Sequence, residues 1–503
     1  MPVVFPKSRP IQSAPAKGKA GLCFSRRTKI VATVGPACES PKTMRALLDA
    51  GADVLRINTS HTSPDGLRKW IRLIRKVGAL RKKEVPILVD LQGPRIRTGP
   101  LENKEPLQLR KGQIVSVVPC RQAGWSQGTT VQMTTACLQF QSMVKKGDPV
   151  LIDNGLIDLE VLEVQRKEVK CRVLSAGILG ENKGINLPNA PITLPALSDK
   201  DIGILKIAAD LDVDFIALSF VRTPKDMHAV RQRLRRCGKT IPVIAKIEKP
   251  MALDHIDAII AASGGLMVAR GDLGIELGVE KVPVIQKQLI EKASQGSICV
   301  ITATQMLESM IEHARPTRAE ASDVANAVFD GTDAVMLSGE TSIGKYPVET
   351  VRMMSEIICE AEQHMRRQGQ PPRPILGRHD HPICAITHAA QDAATHVDAK
   401  AIVAFTRSGR TATLVSKFER NLPILAFTPS KEVSRRLSLY RGIVPILMEN
   451  CHSTDEMLQR GEAALLRFKF LKRGDAVVVV SGAHAFEGAN CMIIIHWIGR
   501  KPR

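Results

Sequence analysis

The stretch PVIAKIE at Pro242–Glu248, a helical pattern over Met251–Ala262, and the stretch GLMVARG at Gly265–Gly271 decide the fold. Both runs are short, apolar and rich in branched side chains, as buried strands are, and both close on charged residues. The same unit recurs along the chain. Further strands are expected at Lys29–Gly35, Ala52–Asn58, Pro86–Gln92, Phe215–Phe220, Ile298–Thr304 and Ala334–Gly339. Helical periodicity is found at Pro41–Ala50, Leu67–Lys82, Pro224–Cys237, Val282–Ser294, Glu320–Phe329 and Val348–His364. Alternating strands and helices imply a parallel sheet, and eight such units imply an α/β fold closed as a (β/α)8 TIM barrel.

The third unit departs from this pattern. Between Gly99 and Leu194 it changes to short strands such as Ile114–Val118, Pro149–Ile152 and Glu168–Ser175, which reads as a β-barrel lid inserted over residues 99–194. Without it, residues 27–98 and 195–366 have about the roughly 250 residues of a barrel. Residues 367–378, dominated by Arg, Gly and Pro, read as a linker. Over residues 379–503, a helix at Ile383–His396 and strands at Ala401–Thr406, Ile424–Thr428, Ile443–Met448 and Ala476–Val480 describe a separate C-terminal α/β domain. Residues 1–26 are basic and interrupted by Pro2, Pro6, Pro10 and Pro15, and the first acidic residue is Glu39. A disordered tail is expected there, with an organelle transit segment as the alternative.

Composition narrows the function classes. No apolar run approaches the roughly 18 residues that cross a bilayer, and no secretory signal opens the chain, so a cytoplasmic protein with no membrane partner is expected. Eleven cysteines lie scattered without a Cys-x-x-Cys pair, which argues against a disulfide framework or structural zinc. The net charge of +21 suits nucleic acid or small polyanions, and only 3% aromatic residues leave little for base stacking. No nucleic-acid partner is expected. Gly339–Lys345 has the spacing of a phosphate-binding P-loop, but Tyr346 stands where a Ser or Thr would hold Mg2+.

Barrel chemistry sits at the C-terminal strand ends. There the sequence places Arg56, Asn58, Ser60 and His61; Asp90, Arg95 and Arg97; Ser219; Lys246 and Glu248; Arg270 and Asp272; Thr304 and Gln305; and Ser338. Glu248 and Asp272, on adjacent strands, suit a hard cation, because Mg2+ takes one or two protein carboxylates and completes its shell from water and substrate. Arg56, Arg97, Lys246 and Arg270 would repel one another without an anion, which points to a phosphate-bearing substrate. Rim ion pairs explain any one of these charges but not the whole set.

Nine segments in order, TKIVATVGP (28–36), RINTSH (56–61), GPRIRTG (93–99), DNGLI (153–157), AKIE (245–248), ARGDLG (269–274), ATQMLESM (303–310), PTRAE (316–320) and LSGET (337–341), resemble the pyruvate kinase family. The resemblance implies phosphoryl transfer from phosphoenolpyruvate to ADP, giving pyruvate and ATP, with Mg2+ or Mn2+ held by Glu248 and Asp272. It implies Lys246 as the main catalyst, Arg56 and Arg97 on the transferring phosphoryl, and Thr304 assisting enolate protonation through water. Substrate contacts would come from Arg56, Ser219, Lys246, Arg270, Gly271, Asp272 and Thr304, with the Arg270 and Gly271 backbone on the substrate carboxylate. Asn58, His61, Arg97 and Lys200 resemble nucleotide contacts. The inserted domain would close as a lid, and a homotetramer is implied. A different barrel enzyme acting on phosphoenolpyruvate or a 2-oxo acid would share Glu248 and Asp272 but not the lid or the third domain. A catalytically silent metabolite sensor would be expected to lack Lys246 or a metal carboxylate, and both are present.

Thr406, Arg407, Ser408, Gly409, Arg410 and Thr411, within FTRSGRTA (405–412), resemble the family's loop for a phosphorylated effector. SGAHAFEG (481–488) lacks the Trp and Arg of the fructose-bisphosphate-controlled animal forms, which leaves the effector's identity open. Asn58, Ser60, Asp90 and the Leu91 carbonyl resemble a potassium pocket, whereas Leu91, Gln92 and Arg95 resemble the potassium-independent branch. Arg95 would supply the cation's charge. Pyruvate formation assayed with a bulky organic ion as the sole monovalent cation is therefore expected to proceed without K+; a strict K+ requirement would refute that role for Arg95.

Overall fold

A computed structural model describes residues 26–119, 123–127, 130–188, 194–368, 382–418, 422–482 and 491–500. Most of the basic tail, most of the linker and positions 483–488 of the SGAHAFEG segment lie outside the described residues.

Eight parallel strands, β1 (Lys29–Thr33), β2 (Val54–Asn58), β3 (Ile87–Leu91), β4 (Phe215–Leu218), β5 (Val243–Ile247), β6 (Gly265–Ala269), β7 (Cys299–Ala303) and β8 (Ala334–Leu337), close into a barrel in chain order. Each contributes to a buried cluster containing Val31, Val54, Leu88, Phe215, Ile244, Met267, Ile301 and Met336. A second cluster joins the strands' other faces to the surrounding helices. Burial on both faces explains why the strands read as continuous apolar runs instead of alternating ones.

Several strands end before their polar residues. Pairing of β4 with β5 ends at Leu218↔Ala245, so Ser219 and Phe220 belong to the loop, and β6 passes directly into the helix Arg270–Leu277. Ser219, Glu248, Arg270 and Asp272 thus stand on the rim beyond the strand ends, whereas Arg56, Asp90 and Lys246 lie within their strands.

The inserted segment forms an eight-stranded sheet with its own apolar core around Val115, Met133, Phe140, Ile152, Leu159 and Val173. The chain enters it through Ile96–Arg97 and leaves through Gly184–Asn186, which pair antiparallel, Arg97 opposite Gly184. Entry and exit side by side allow the unit to move on two adjacent connections. Asn186 Nδ2 also donates to Glu276 Oε1 at 2.8 Å, and Lys249 pairs with the same carboxylate, linking the exit strand to the helix after β6.

The C-terminal unit is a five-stranded sheet of β9 (Ala401–Phe405), β10 (Ile424–Thr428), β11 (Ile443–Leu447), β12 (Ala476–Ser481) and β13 (Met492–Trp497), in the order β11-β10-β9-β12-β13. The antiparallel edge strand β13 adds to the four strands expected from sequence. This unit seats on the N-terminal end of the barrel. Leu439 enters the barrel's inner cluster, Lys417 Nζ pairs with Asp333 Oδ2 at 2.5 Å, and Arg435 reaches both Asp214 and Glu84.

Lys29 opens β1 at this junction and donates from Nζ to the Ile443 carbonyl at 2.8 Å. Burial pulls its pKa down to about 8, against the attraction of Asp53. The folded chain therefore releases this proton near pH 8, whereas the unfolded chain keeps it until about pH 10.4. Lys29 costs stability below pH 8, and that cost is relieved as the pH rises. Unfolding free energy measured from pH 7 to 10 should carry a rising component that Lys29→Met removes.

Candidate active site

The C-terminal mouth of the barrel is built around Lys246, next to last in β5. Its Nζ donates to Ser219 Oγ at 2.6 Å and lies 3.3 Å from Asp90 Oδ1 and 3.0 Å from Glu248 Oε1. Burial alone would lower the pKa of this ammonium, but the two carboxylates overcome burial and raise it. Lys246 is held as a cation.

Asp90, next to last in β3, holds two cations at once. Arg56 donates to Asp90 Oδ2 from Nε at 2.8 Å and lies 2.6 Å from it through Nη2, while Arg56 Nη1 donates to Thr33 Oγ1 at 2.9 Å. Burial pushes the Asp90 carboxyl up, but Lys246 and Arg56 together pull it below its ordinary value. The guanidinium of Arg56 is thus buried and fixed in one orientation.

Glu248 accepts the Phe220 amide on Oε2 at 2.6 Å, and Phe220 adopts the left-handed region at φ 56° to present it. Burial raises the Glu248 pKa, Lys246 lowers it and the nearby Asp272 charge raises it again; the net direction is up. Glu248 stands here with less positive charge than it needs, and the Asp272 charge beside it adds to that condition. A divalent ion relieves that condition, and oxygen donors on adjacent elements suit Mg2+ or Mn2+.

The four cations expected to need an anion are largely satisfied by protein. Arg56 and Lys246 share Asp90. Arg270 pairs with Asp323 at 2.7 Å while donating to the Thr304 carbonyl at 2.8 Å. Carboxylates on other elements neutralise Arg56, Lys246 and Arg270, so mutual repulsion does not by itself call for an anion there, and phosphate chemistry rests on the convergence of Arg56 and Lys246 instead. With its side chain tied down, Arg270 offers the site its backbone in the first turn of the helix Arg270–Leu277, beside Gly271 and Asp272.

Thr304 and Gln305 follow β7 with φ of 70° and 53°. A β-branched residue in this region is strained by about 1–3 kcal/mol and persists only where its surroundings hold it. Thr304 Oγ1 accepts the Gly271 amide at 2.8 Å and donates to the Ala303 carbonyl at 2.6 Å.

On the opposite side of the mouth, Asn58 Oδ1 accepts the Ser60 amide, Lys200 donates to the Ser60 carbonyl at 3.2 Å, and His61 is exposed. Ser219 Oγ donates to the Leu91 carbonyl at 2.8 Å. Arg95 lies 3.6 Å from Asp272 and 3.5 Å from Asn154 Oδ1 of the inserted unit. Arg97 donates to the Asn182 carbonyl within the lid at 2.7 Å; burial and the charge of Arg95 lower its pKa.

Sequence reading did not identify Thr33, Asp323, Gln286 or Glu340 as supports of this site. Asp323 and Gln286 lie on barrel helices and carry no local signal, because their value comes from facing Arg270. Glu340 lies inside the P-loop-like segment, where Thr341 also points inward and donates to the Thr33 carbonyl.

In the C-terminal unit, Thr406 to Thr411 occupy the exit of β9, next to β12, where the strand order reverses. Thr406 Oγ1 accepts the Gly409 amide at 2.9 Å, Gly409 is left-handed at φ 89°, and the helix Arg410–Phe418 starts there. Crevices at such reversals are where open α/β sheets bind ligands.

Comparison with known proteins agrees with this architecture. The family model "Pyruvate kinase, barrel domain" matches residues 25–351, and "Pyruvate kinase, alpha/beta domain" matches residues 384–495. A pyruvate kinase of Mycobacterium tuberculosis is 43% identical over 477 residues, covering 95% of this chain and 99% of the relative. One from Thermotoga maritima is 41% identical over 467 residues, covering 92% and 98%. The crystal structure of a pyruvate kinase from Cryptosporidium parvum superposes with a TM-score of 0.86 at 35% identity, covering 94% of this chain and 96% of that one.

The Asp90 node yields a direct test. Asp90→Asn would leave Arg56 and Lys246 buried with one carboxylate fewer, and loss of one partner of a buried pair costs roughly 3–5 kcal/mol. A marked fall in the thermal midpoint is expected. In the parent protein the Asp90 contribution is present above about pH 4 and lost as the pH falls through its depressed folded pKa, so the variant should show a shallower acid limb.

Proposed function

The chain belongs to the pyruvate kinase family, a phosphotransferase family, and on that premise we propose how its own residues divide the transfer of a phosphoryl group from phosphoenolpyruvate to ADP. The reading rests on one observation above the others: the Lys246 ammonium is buried, charged and held at the mouth between Asp90 and Glu248.

Phosphoryl transfer asks the protein chiefly for positioning and for charge where charge develops. Lys246 supplies that charge to the transferring phosphoryl and to the enolate oxygen left behind. Arg56, locked by Asp90 and Thr33, presents its guanidinium to the phosphoryl without reorganising. Arg97 reaches the same group from the first lid strand, so lid closure completes the set and excludes water. The Arg270 and Gly271 amides, with Ser219, hold the substrate. Glu248 and Asp272 would hold Mg2+ or Mn2+, which when bound acts as a Lewis acid on the substrate oxygens.

A substrate carboxylate at the Gly271 amide would compete with Thr304 Oγ1 for its proton, freeing the threonine hydroxyl to orient a water toward C3 of the enolate. Threonine alone is too weak an acid for that step. Asn58, His61, Arg97 and Lys200 form the nucleotide side. Arg95, a fixed positive charge beside Asp272, makes K+ dispensable. Thr406 to Thr411 receive a phosphorylated effector at the start of their helix, and the working form is a cytoplasmic homotetramer.

Lys246→Met carries the test. Steady-state pyruvate formation with Mg2+ should fall on the order of a thousandfold, the scale for removing a main electrostatic stabiliser, with ADP binding by calorimetry unchanged. Retention of most of the turnover would overturn the assignment.

A further inference from the structure

Glu340 is a carboxylate with no evident reason to be charged. It lies in the short helix Gly339–Ser342 after β8, is 2% exposed, and forms no ion pair among the described residues. Its partners are amides: Oε2 accepts from Ser338 N at 2.6 Å and Oε1 from Leu307 N at 3.2 Å. Burial pushes its carboxyl up, so the amides only partly offset the cost of keeping it. An apolar side chain would fill the space at less expense.

What the carboxylate does is join two loops. Ser338 closes β8, and Leu307 ends the turn Thr304–Leu307, whose first two residues are left-handed. Arg270 Nη2 grips the front of that turn through the Thr304 carbonyl at 2.8 Å and the Gln305 carbonyl at 3.3 Å. Glu340 grips its far end. A strained turn keeps its shape only when fixed on both sides, and the hydroxyl it displays is that of Thr304.

We infer that Glu340 is a positioning residue for the proton-transfer half of the reaction, holding the Thr304 turn through the Leu307 amide. This rests on the proposed role of Thr304. In that half-reaction the enolate electron pair forms the C3–H bond while the carbonyl forms, the proton comes from a water that Thr304 orients, and the hydroxide left is reprotonated from solvent. Phosphoryl transfer is carried by Lys246 and Arg56 on other strands, whose hydrogen bonds and ion pairs go to Ser219, Asp90, Glu248 and Thr33 and not to this turn.

The two halves can be measured separately in the full-length Mg2+ enzyme. Rapid quench gives ATP formed from phosphoenolpyruvate and ADP in the first turnover; NMR in D2O with Mg2+ and ATP gives exchange of the pyruvate methyl hydrogens. Glu340→Gln is isosteric but turns an N–H donor toward one of the two amides. It should slow exchange on the order of tenfold or more while first-turnover ATP formation and KM for phosphoenolpyruvate stay within about twofold. Glu340→Asp, which keeps both oxygens on a shorter arm, should lie between and serves if the glutamine variant does not fold. Thr304→Ala is run alongside. Impaired exchange in Thr304→Ala with normal exchange in both Glu340 variants would overturn the role of Glu340 alone. Normal exchange in Thr304→Ala would overturn the Thr304 reading and this inference with it. Equal losses in ATP formation and exchange would mark Glu340 as merely structural and overturn the inference.

Discussion

Everything at the barrel mouth depends on one buried arrangement of charge, the Asp90 carboxylate shared between Arg56 and Lys246. Two cations brought together away from water would repel, and one carboxylate between them converts the repulsion into a rigid three-point contact. Its consequences spread along the strands. Arg56 is aligned through Thr33 to β1, Lys246 is anchored on β5 and leans on Glu248, and Ser219 of the β4 exit ties Lys246 to the Leu91 carbonyl of β3. On the proposed reading, substrate meets positive charge that is already oriented, the condition under which electrostatics accelerates phosphoryl transfer most.

Around that centre the elements serve as clamps. Arg270 could have been a fourth cation of the site but is drawn to Asp323, and its helix offers amides where its side chain does not reach. The lid attaches through Ile96–Arg97 and Gly184–Asn186, and Asn186 meets Glu276 on that same helix, so movement of the lid and placement of Asp272 share a physical link. At the opposite end, Lys417 follows the loop Thr406–Thr411 on its helix and pairs with Asp333, the residue just before β8. Asp333 also accepts the Val300 amide near the start of β7 and the Arg441 amide.

The barrel was legible because strands buried on both faces must be apolar throughout, and helix periodicity between them leaves one arrangement. The lid was legible as an interruption of that rhythm. The candidate site was legible because barrel geometry directs attention to strand ends, so Lys246, Glu248, Arg56 and Asp90 stood out by position, and the structure brings their side chains together. Residues whose partners are remote in sequence could not. Asp323 meets Arg270 across 53 positions and Asp333 meets Lys417 across 84, and no local pattern announces either. Glu340 was hidden differently, inside a segment that resembled a phosphate loop while its carboxylate pointed into the protein. Arg270 was counted as an uncompensated charge for the same reason, without the carboxylate of Asp323 that neutralises it.

On the proposed reading, the Lys246 ammonium and the Glu248–Asp272 pair face the same reacting oxygens. The most direct measurement is an anomalous-scattering map of crystals grown with Mn2+ and a non-reactive analogue of phosphoenolpyruvate. The account predicts one strong peak bonded to Glu248 and Asp272, with Lys246 Nζ within hydrogen-bond distance of the analogue's phosphate. A peak on other residues, or Lys246 engaged only with Asp90 and turned from the analogue, would contradict it.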